Sequence, residues 1–202
     1  MTTIAIVAFD GVTDIDVFSH WDLLNRPLTA CPEAGRHWSV RLLGTSPQHT
    51  TAAGLQLAMH GTIDEAGRAD AVVISSGPVT RTLMLDEDYL ERLALDPSRQ
   101  LVTAQCSGSL ILAACGVLRG LTATTYPTAR AQLEDFGVPF VRKPLVAHQR
   151  VATAAGCRAG ARLDYWLLER LVGADTARAC VDSTEAWGDG LEQLYDFVEE
   201  AA

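Results

Sequence analysis

Lysine is nearly missing from this chain: of 16 basic residues in 202, Lys143 alone is a lysine, which reads as genomic composition bias. Basic runs are missing too, and the formal net charge is -9. Nucleic acid is therefore excluded as the main partner, because that binding is driven by clustered Lys and Arg neutralising phosphates. Nowhere do about 18 apolar residues follow one another, so no membrane span is expected. There is no CxxC pair and no Cys/His group at zinc-ligand spacing, so no metal site is expected. Five cysteines, an odd number without a dense framework, suit a reducing cytoplasm better than a secreted disulfide scaffold. Repeats, low-complexity segments and Ser/Pro/Gly-rich linkers are also lacking, and 48% of the chain is apolar. That predicts one well-buried domain over residues 1–202. The opening "MTTIAIVAFDGVTDID" has no positive n-region and meets acids after one short apolar run, so it reads as a first strand rather than a signal peptide.

What is present is alternation. Apolar, β-rich runs occur at Thr3 to Phe9, Trp38 to Gly44, Asp70 to Gly77, Gln100 to Gln105 and Gln149 to Gly156. Helical patterns occupy Asp14 to Arg26, Asp86 to Leu95, Ser107 to Gly116, Thr128 to Gly137 and Ala159 to Gly173. Continuous apolar strands between helices of this length predict an α/β fold around an open, mostly parallel sheet. Thr50 to Asp64 breaks the rhythm and reads as an antiparallel excursion. Ligands of such sheets bind beyond the carboxyl ends of the strands, which directs the search to the loops after Phe9, Ser75, Gln105 and Ala155.

Cys106 stands where a β-branched run ends and "SGSLILAACG" begins. Small residues in the next three positions allow the sharp strand-to-helix turn of a nucleophile elbow. Such a turn would place the sulfur over a helix N-terminus, where free amides and the helix dipole favour the thiolate. Cys31, Cys115, Cys157 and Cys180 are read as inert packing residues. The segment "FDGVTDID" places Asp10, Asp14 and Asp16 near the same edge. Asp14 is expected to cap the following helix, while Asp16 reads either as a second cap residue or as a proton shuttle for Cys106. In "SSGPVT", Gly77 would let the backbone approach a ligand. Its amide, with those of Ser76 and Ser107, could form an oxyanion hole; Pro78 has no amide hydrogen to give.

The order "IAIVAFDGVTDIDVF", "DAVVISSGPVTR", "QCSGSLILAACGVLRGLTATTY" and "RVATAAGCRAGARLDYWLLERLVG" resembles the DJ-1/PfpI superfamily, most of all its isocyanide hydratase branch. The resemblance covers roughly Thr3 to Gly173. It implies a flavodoxin-like α/β sandwich with a mostly parallel central sheet, a homodimer, and no metal or organic cofactor. It also implies a cysteine nucleophile at Cys106 and an acidic partner at Asp16. Departures accompany the matches. Protease-like members tend to have histidine directly after the nucleophile, where this chain has Ser107, which argues against peptidase activity. Several branches have histidine at the position of Tyr126. Hydratase-like sequences commonly show Gly-Pro where Ser19 and His20 stand, and two glycines in place of Ser76 and Gly77. These changes would reshape the pocket, with His20 and Tyr126 as candidate lining residues.

The expected activity is a cysteine-dependent hydration of a small electrophile, an isocyanide becoming an N-formamide. The alternatives are glyoxalase-like hydration of a small α-oxoaldehyde, or a redox sensor whose Cys106 is oxidised without turnover. His37 and His49 read as loop or strand-edge residues and His60 as part of the irregular segment; His148 is a candidate base for Cys106. Trp21, Tyr165 and Trp166 read as core or dimer interface. Ser183 to Ala202 reads as an acidic, amphipathic closing helix.

Overall fold

β1 (Thr2–Val7), β-branched and apolar, becomes buried within two residues of its start. It forms parallel ladders on both sides, pairing Ile4 with Val40 of β2 (Trp38–Gly44) and with Ala71 of β6 (Ala71–Ile74). The computed structural model describes residues 1–184 of the chain. Among them, β6 and β7 (Leu101–Gln105) are buried along their whole length, as expected for central parallel strands covered on two faces. β9 (Val151–Ala154) follows in parallel, and β8 (Leu145–Ala147) closes that edge antiparallel to it. The opposite edge is β5 (Gly61–Thr62), beside β2. The main sheet thus runs β5-β2-β1-β6-β7-β9-β8. Counting only β1, β2, β6, β7 and β9 gives the order 2-1-3-4-5, the flavodoxin-like arrangement.

The segment expected to break the rhythm holds a two-stranded antiparallel hairpin, β3 (Gln48–Thr50) with β4 (Gln56–Ala58). Helices surround the sheet: α1 (Ile15–Asn25), α2 (Pro27–Ala30), α3 (Pro32–Gly35), α4 (Thr80–Leu83), α5 (Glu87–Leu93), α6 (Ser109–Ala114), α7 (Arg130–Asp135), α8 (Gly160–Val172) and α9 (Ala174–Asp182). α8 packs on α1, α9, β7 and β9, and α6 on β6, β7, α4 and α7. Trp166 of α8 is fully buried, with the Arg170 guanidinium 4.1 Å over its ring. The core strands bring Ile4, Ile6, Val72, Ile74 and Val102 to zero exposure, each worth roughly 1.5–3 kcal/mol of apolar burial.

Three local expectations change. The strand expected to reach Gly77 ends at Ile74, which releases Ser75 to Gly77 as a loop. Asp14 occupies the N-cap position of α1 but makes no cap bond. Its carboxylate instead accepts from Thr51 Oγ1 at 2.5 Å and the Ala53 amide at 3.1 Å, tying the helix start to the hairpin. β8 and α9 interrupt segments in which no element was expected. The expected closing helix falls, apart from Ser183 and Thr184, outside the described residues.

Register sets the site. Val7 pairs with Ile74, Ile74 with Ala104, and Ala104 with Thr153, so four parallel strands end nearly level. The segments that follow them carry Asp16, Ser76 and Gly77, Cys106 and Ser107, and Cys157 to one edge of the sheet.

Candidate active site

Cys106 leaves β7 with φ of 55°, and among the described residues only Ala94 shares a positive φ outside glycine. A non-glycine residue in this left-handed region costs about 1–2 kcal/mol, so the surroundings must hold it. Ser109 Oγ and Thr125 Oγ1 both donate to the Cys106 carbonyl, at 3.0 and 3.1 Å. Gly108 completes the turn because a Cβ there would meet the Ile74 and Ser75 carbonyl oxygens at 2.6 Å. The elbow is therefore clamped against the end of β6. Cys106 is 6% exposed and sits at a cavity of about 520 Å³ that Ser76, Gly77, Ser107, Tyr126 and Cys157 also line.

Asp16, fully buried in the first turn of α1, accepts a hydrogen bond on Oδ2 from the Ser76 hydroxyl. Its other oxygen, Oδ1, is buried without a hydrogen-bond partner. One carboxylate oxygen of Asp16 and the sulfurs of Cys106 and Cys157 all lie within 4.8 Å of one another. Cys157 opens the 3-10 turn Cys157–Ala159 after β9 and is half-buried. Expected as an inert packing residue, it stands in the same cluster as the nucleophile. Its one sequence signal was position, two residues past Ala155 in a loop already marked for search. Two thiols and a carboxylate could also hold a thiophilic cation, although their sequence spacing resembles no metal motif.

The electrostatics differ from the expected stabilised thiolate. Burial pushes the Cys106 thiol above its ordinary pKa and the Asp16 charge adds to this; the Ser76 hydroxyl, the Ser107 amide and the Cys157 thiol pull the other way without winning. The helix after the elbow is only six residues long, which limits what its dipole can offer. Burial and the adjacent Asp16 carboxylate push Cys157 up to about 12. Both sulfurs therefore rest as thiols beside one carboxylate, an arrangement suited to handing over a proton as each attacks.

Among the other expected site residues, Ser107 and Gly77 meet each other. The Gly77 amide lies 3.5 Å from Ser107 Oγ, and Ser107 Oγ also receives the Thr80 hydroxyl at 3.0 Å. The Ser107 amide helps to lower the Cys106 thiol pKa, while the Gly77 amide is turned to the Ser107 hydroxyl. Gly77 is also required by a backbone contact, since a Cβ there would lie 2.5 Å from the Gly11 carbonyl oxygen. Tyr126 is 43% exposed at the cavity edge, near Gly156. His20 is not among the residues lining the cavity; it is fully buried and bonds Asp164 at 2.6 Å. His148 directs Nε2 to the Thr122 carbonyl at 2.9 Å. Neither histidine is an evident base for Cys106.

Tyr126 and Cys157 also border a second, open depression of about 950 Å³. Five cationic side chains line it, Arg130, Arg142, Lys143, Arg158 and Arg162, and among the described residues no acidic one does.

Comparisons with known proteins show the family and the fold. The sequence profile described as the DJ-1/PfpI family matches residues 2–170. An isonitrile hydratase of Pseudomonas putida is 29% identical over 178 residues, spanning 87% of this chain and 74% of that protein. Among solved structures, Schizosaccharomyces pombe DJ-1 superposes with a TM-score of 0.77 at 18% identity, over 92% of this chain and all of that one. A ThiJ/PfpI family protein from Pseudomonas syringae superposes with a TM-score of 0.80 at 24% identity, over 94% of this chain and 76% of that one. No helix among the described residues is long and apolar enough to cross a membrane.

Proposed function

This chain belongs to the DJ-1/PfpI family, and from that premise we propose that it hydrates a small electrophile at Cys106, with an isocyanide as substrate and an N-formamide as product. The observation that carries the reading is the Asp16 carboxylate within 4.8 Å of the Cys106 sulfur, on a strained elbow at a cavity of small-molecule size. The similarity to an isonitrile hydratase supports the choice of electrophile.

Cys106 Sγ attacks the terminal isocyanide carbon as its thiol proton passes to Asp16. Asp16 then returns that proton to the same carbon, giving a thioimidate on the sulfur. A water molecule adds to the thioimidate carbon, with Asp16 carrying one of its protons to nitrogen. The C–S bond breaks as the carbonyl forms, and the remaining proton restores the thiol. The sum is isocyanide plus water to formamide. Asp16 can serve both steps because a carbon bonded to Sγ lies next to the same carboxylate. The Ser76 hydroxyl holds that carboxylate through its Oδ2. We extend the reading to a homodimer in the cytoplasm that works without metal or organic cofactor.

The test is absorbance-monitored turnover of an aryl isocyanide by wild type, Cys106→Ala and Asp16→Asn, with methylglyoxal in parallel. Isocyanide turnover that both variants lose is the expected result. Turnover of methylglyoxal alone would move the activity to α-oxoaldehydes, and turnover of neither by folded protein would overturn the hydration reading.

A further inference from the structure

The second thiol has no task in the hydration of an isocyanide, yet it shares the carboxylate. Cys157 is half-buried at the cavity, while Cys31, Cys115 and Cys180 are not among the residues lining it. Its sulfur, that of Cys106 and an Asp16 oxygen lie within 4.8 Å of one another, and Asp16 Oδ1 is buried with no hydrogen-bond partner. Closing this to a disulfide requires the sulfurs to approach to about 2.05 Å. Cys106 is held by the clamped elbow, whereas Cys157 opens the short turn Cys157–Ala159, so the closing movement is assigned to Cys157.

We propose that Cys106 and Cys157 form a two-thiol centre that reduces small hydroperoxides and closes to an intramolecular disulfide. This rests on the reading of Cys106 as nucleophile and goes beyond it. In the first step, the Cys106 thiol gives its proton to Asp16 and the sulfur attacks a peroxide oxygen. The O–O bond breaks, the alcohol or water leaves with the proton from Asp16, and Cys106 becomes a sulfenic acid. In the second step, the Cys157 thiol gives its proton to the same carboxylate and its sulfur attacks Cys106 Sγ. The S–O bond breaks and the hydroxide leaves as water with that proton. Overall, two thiols and one hydroperoxide become one disulfide, one alcohol and one water. A cellular dithiol would restore the pair by exchange. The resolving step protects Cys106, because a sulfenic acid captured by a neighbouring thiol does not go on to the sulfinic acid.

The experiment treats reduced full-length protein with two equivalents of hydrogen peroxide, enough to carry an unresolved thiol to the sulfinic acid, blocks remaining thiols and reads intact mass and cross-linked peptides. Wild type is expected to lose two hydrogens, with Cys106 and Cys157 joined in one peptide pair that dithiothreitol separates. In Cys157→Ser and Cys157→Ala, checked for native circular dichroism, Cys106 is expected to accumulate sulfinic acid instead. Equal sulfinic acid in wild type and both variants, or a cross-link between other cysteines such as Cys31 and Cys180, would overturn the proposal. Isocyanide turnover by the same reduced preparations separates the two readings: turnover without the cross-link sinks only the two-thiol centre, and the cross-link without turnover sinks only the hydration.

Discussion

His20 Nδ1 lies 2.6 Å from Asp164 Oδ1, with both side chains fully buried, joining α1 to α8 across 144 positions of sequence. An isolated buried charge is costly enough that each of these groups requires the other. Since Asp16 sits one helical turn before His20, the pair also braces the segment that delivers the carboxylate to Cys106.

The pair predicts a pH limb in stability. Burial opposes the imidazolium, but Asp164, with a contribution from Asp16, more than offsets it and holds His20 above its ordinary 6.5. A raised value in the folded state stabilises fully below 6.5, and the contribution fades as pH climbs through the folded value. Denaturant-measured stability of wild type should therefore decline on the alkaline side of 6.5, and His20→Gln should flatten that limb. Asp164→Asn leaves burial to dominate, so the limb should change sign, with an overall loss of about 3–5 kcal/mol. An unchanged limb in both variants would remove His20 as its source.

Asp16→Asn separates reactivity from turnover. The Asp16 charge helps to raise the Cys106 thiol, so removing it should lower that pKa and speed alkylation by iodoacetamide at mildly alkaline pH. Without a carboxylate to carry protons, kcat on isocyanide should nevertheless fall by about 10²–10⁴-fold. The check is the pH profile of alkylation beside steady-state kinetics, and slower alkylation in the variant would contradict the electrostatic account.

Backbone strain at the elbow is measurable by comparing two inactive variants. At φ of 55°, Cys106→Gly should be more stable than Cys106→Ala by about 1 kcal/mol, because glycine has no Cβ to crowd. Thermal unfolding reads this as a Tm higher by about 2–4 °C. Equal Tm values would mean that the turn carries no strain.

The cationic depression beside Tyr126 and Cys157 predicts a preference by charge. An isocyanide bearing a carboxylate should show a lower KM than its neutral counterpart, and Arg158→Ala should narrow the gap while leaving the neutral substrate unaffected. The advantage should shrink as ionic strength rises, since Arg158 is exposed. A KM independent of substrate charge and of salt would leave the depression without a role in binding.

Much of the architecture was legible in the sequence because it is local. The runs at Trp38 to Gly44 and Gln100 to Gln105 are strands because unbroken apolar, β-branched stretches need cover on two faces, and their observed bounds differ from the expected ones by at most a residue. The sharp turn at Cys106 was visible in three small residues, and the family resemblance rested on the same local motifs. β8 was missed because three apolar residues carry no period. Asp14 was misjudged because a cap motif describes only its own helix, whereas the hairpin connection offered its carboxylate two partners far along the chain.

The chain itself determined which segments become strands and where a reactive cysteine can stand, since those choices follow from side-chain shape and backbone preference within a few residues. Tertiary structure decided who meets Cys106. Parallel register ends four strands level, so that Cys157 from the last of them arrives beside Asp16 from the first while His20 turns away to Asp164. No sequence spacing encodes those meetings, because they depend on a sheet order that places residues far apart in the chain within one hydrogen-bonded edge.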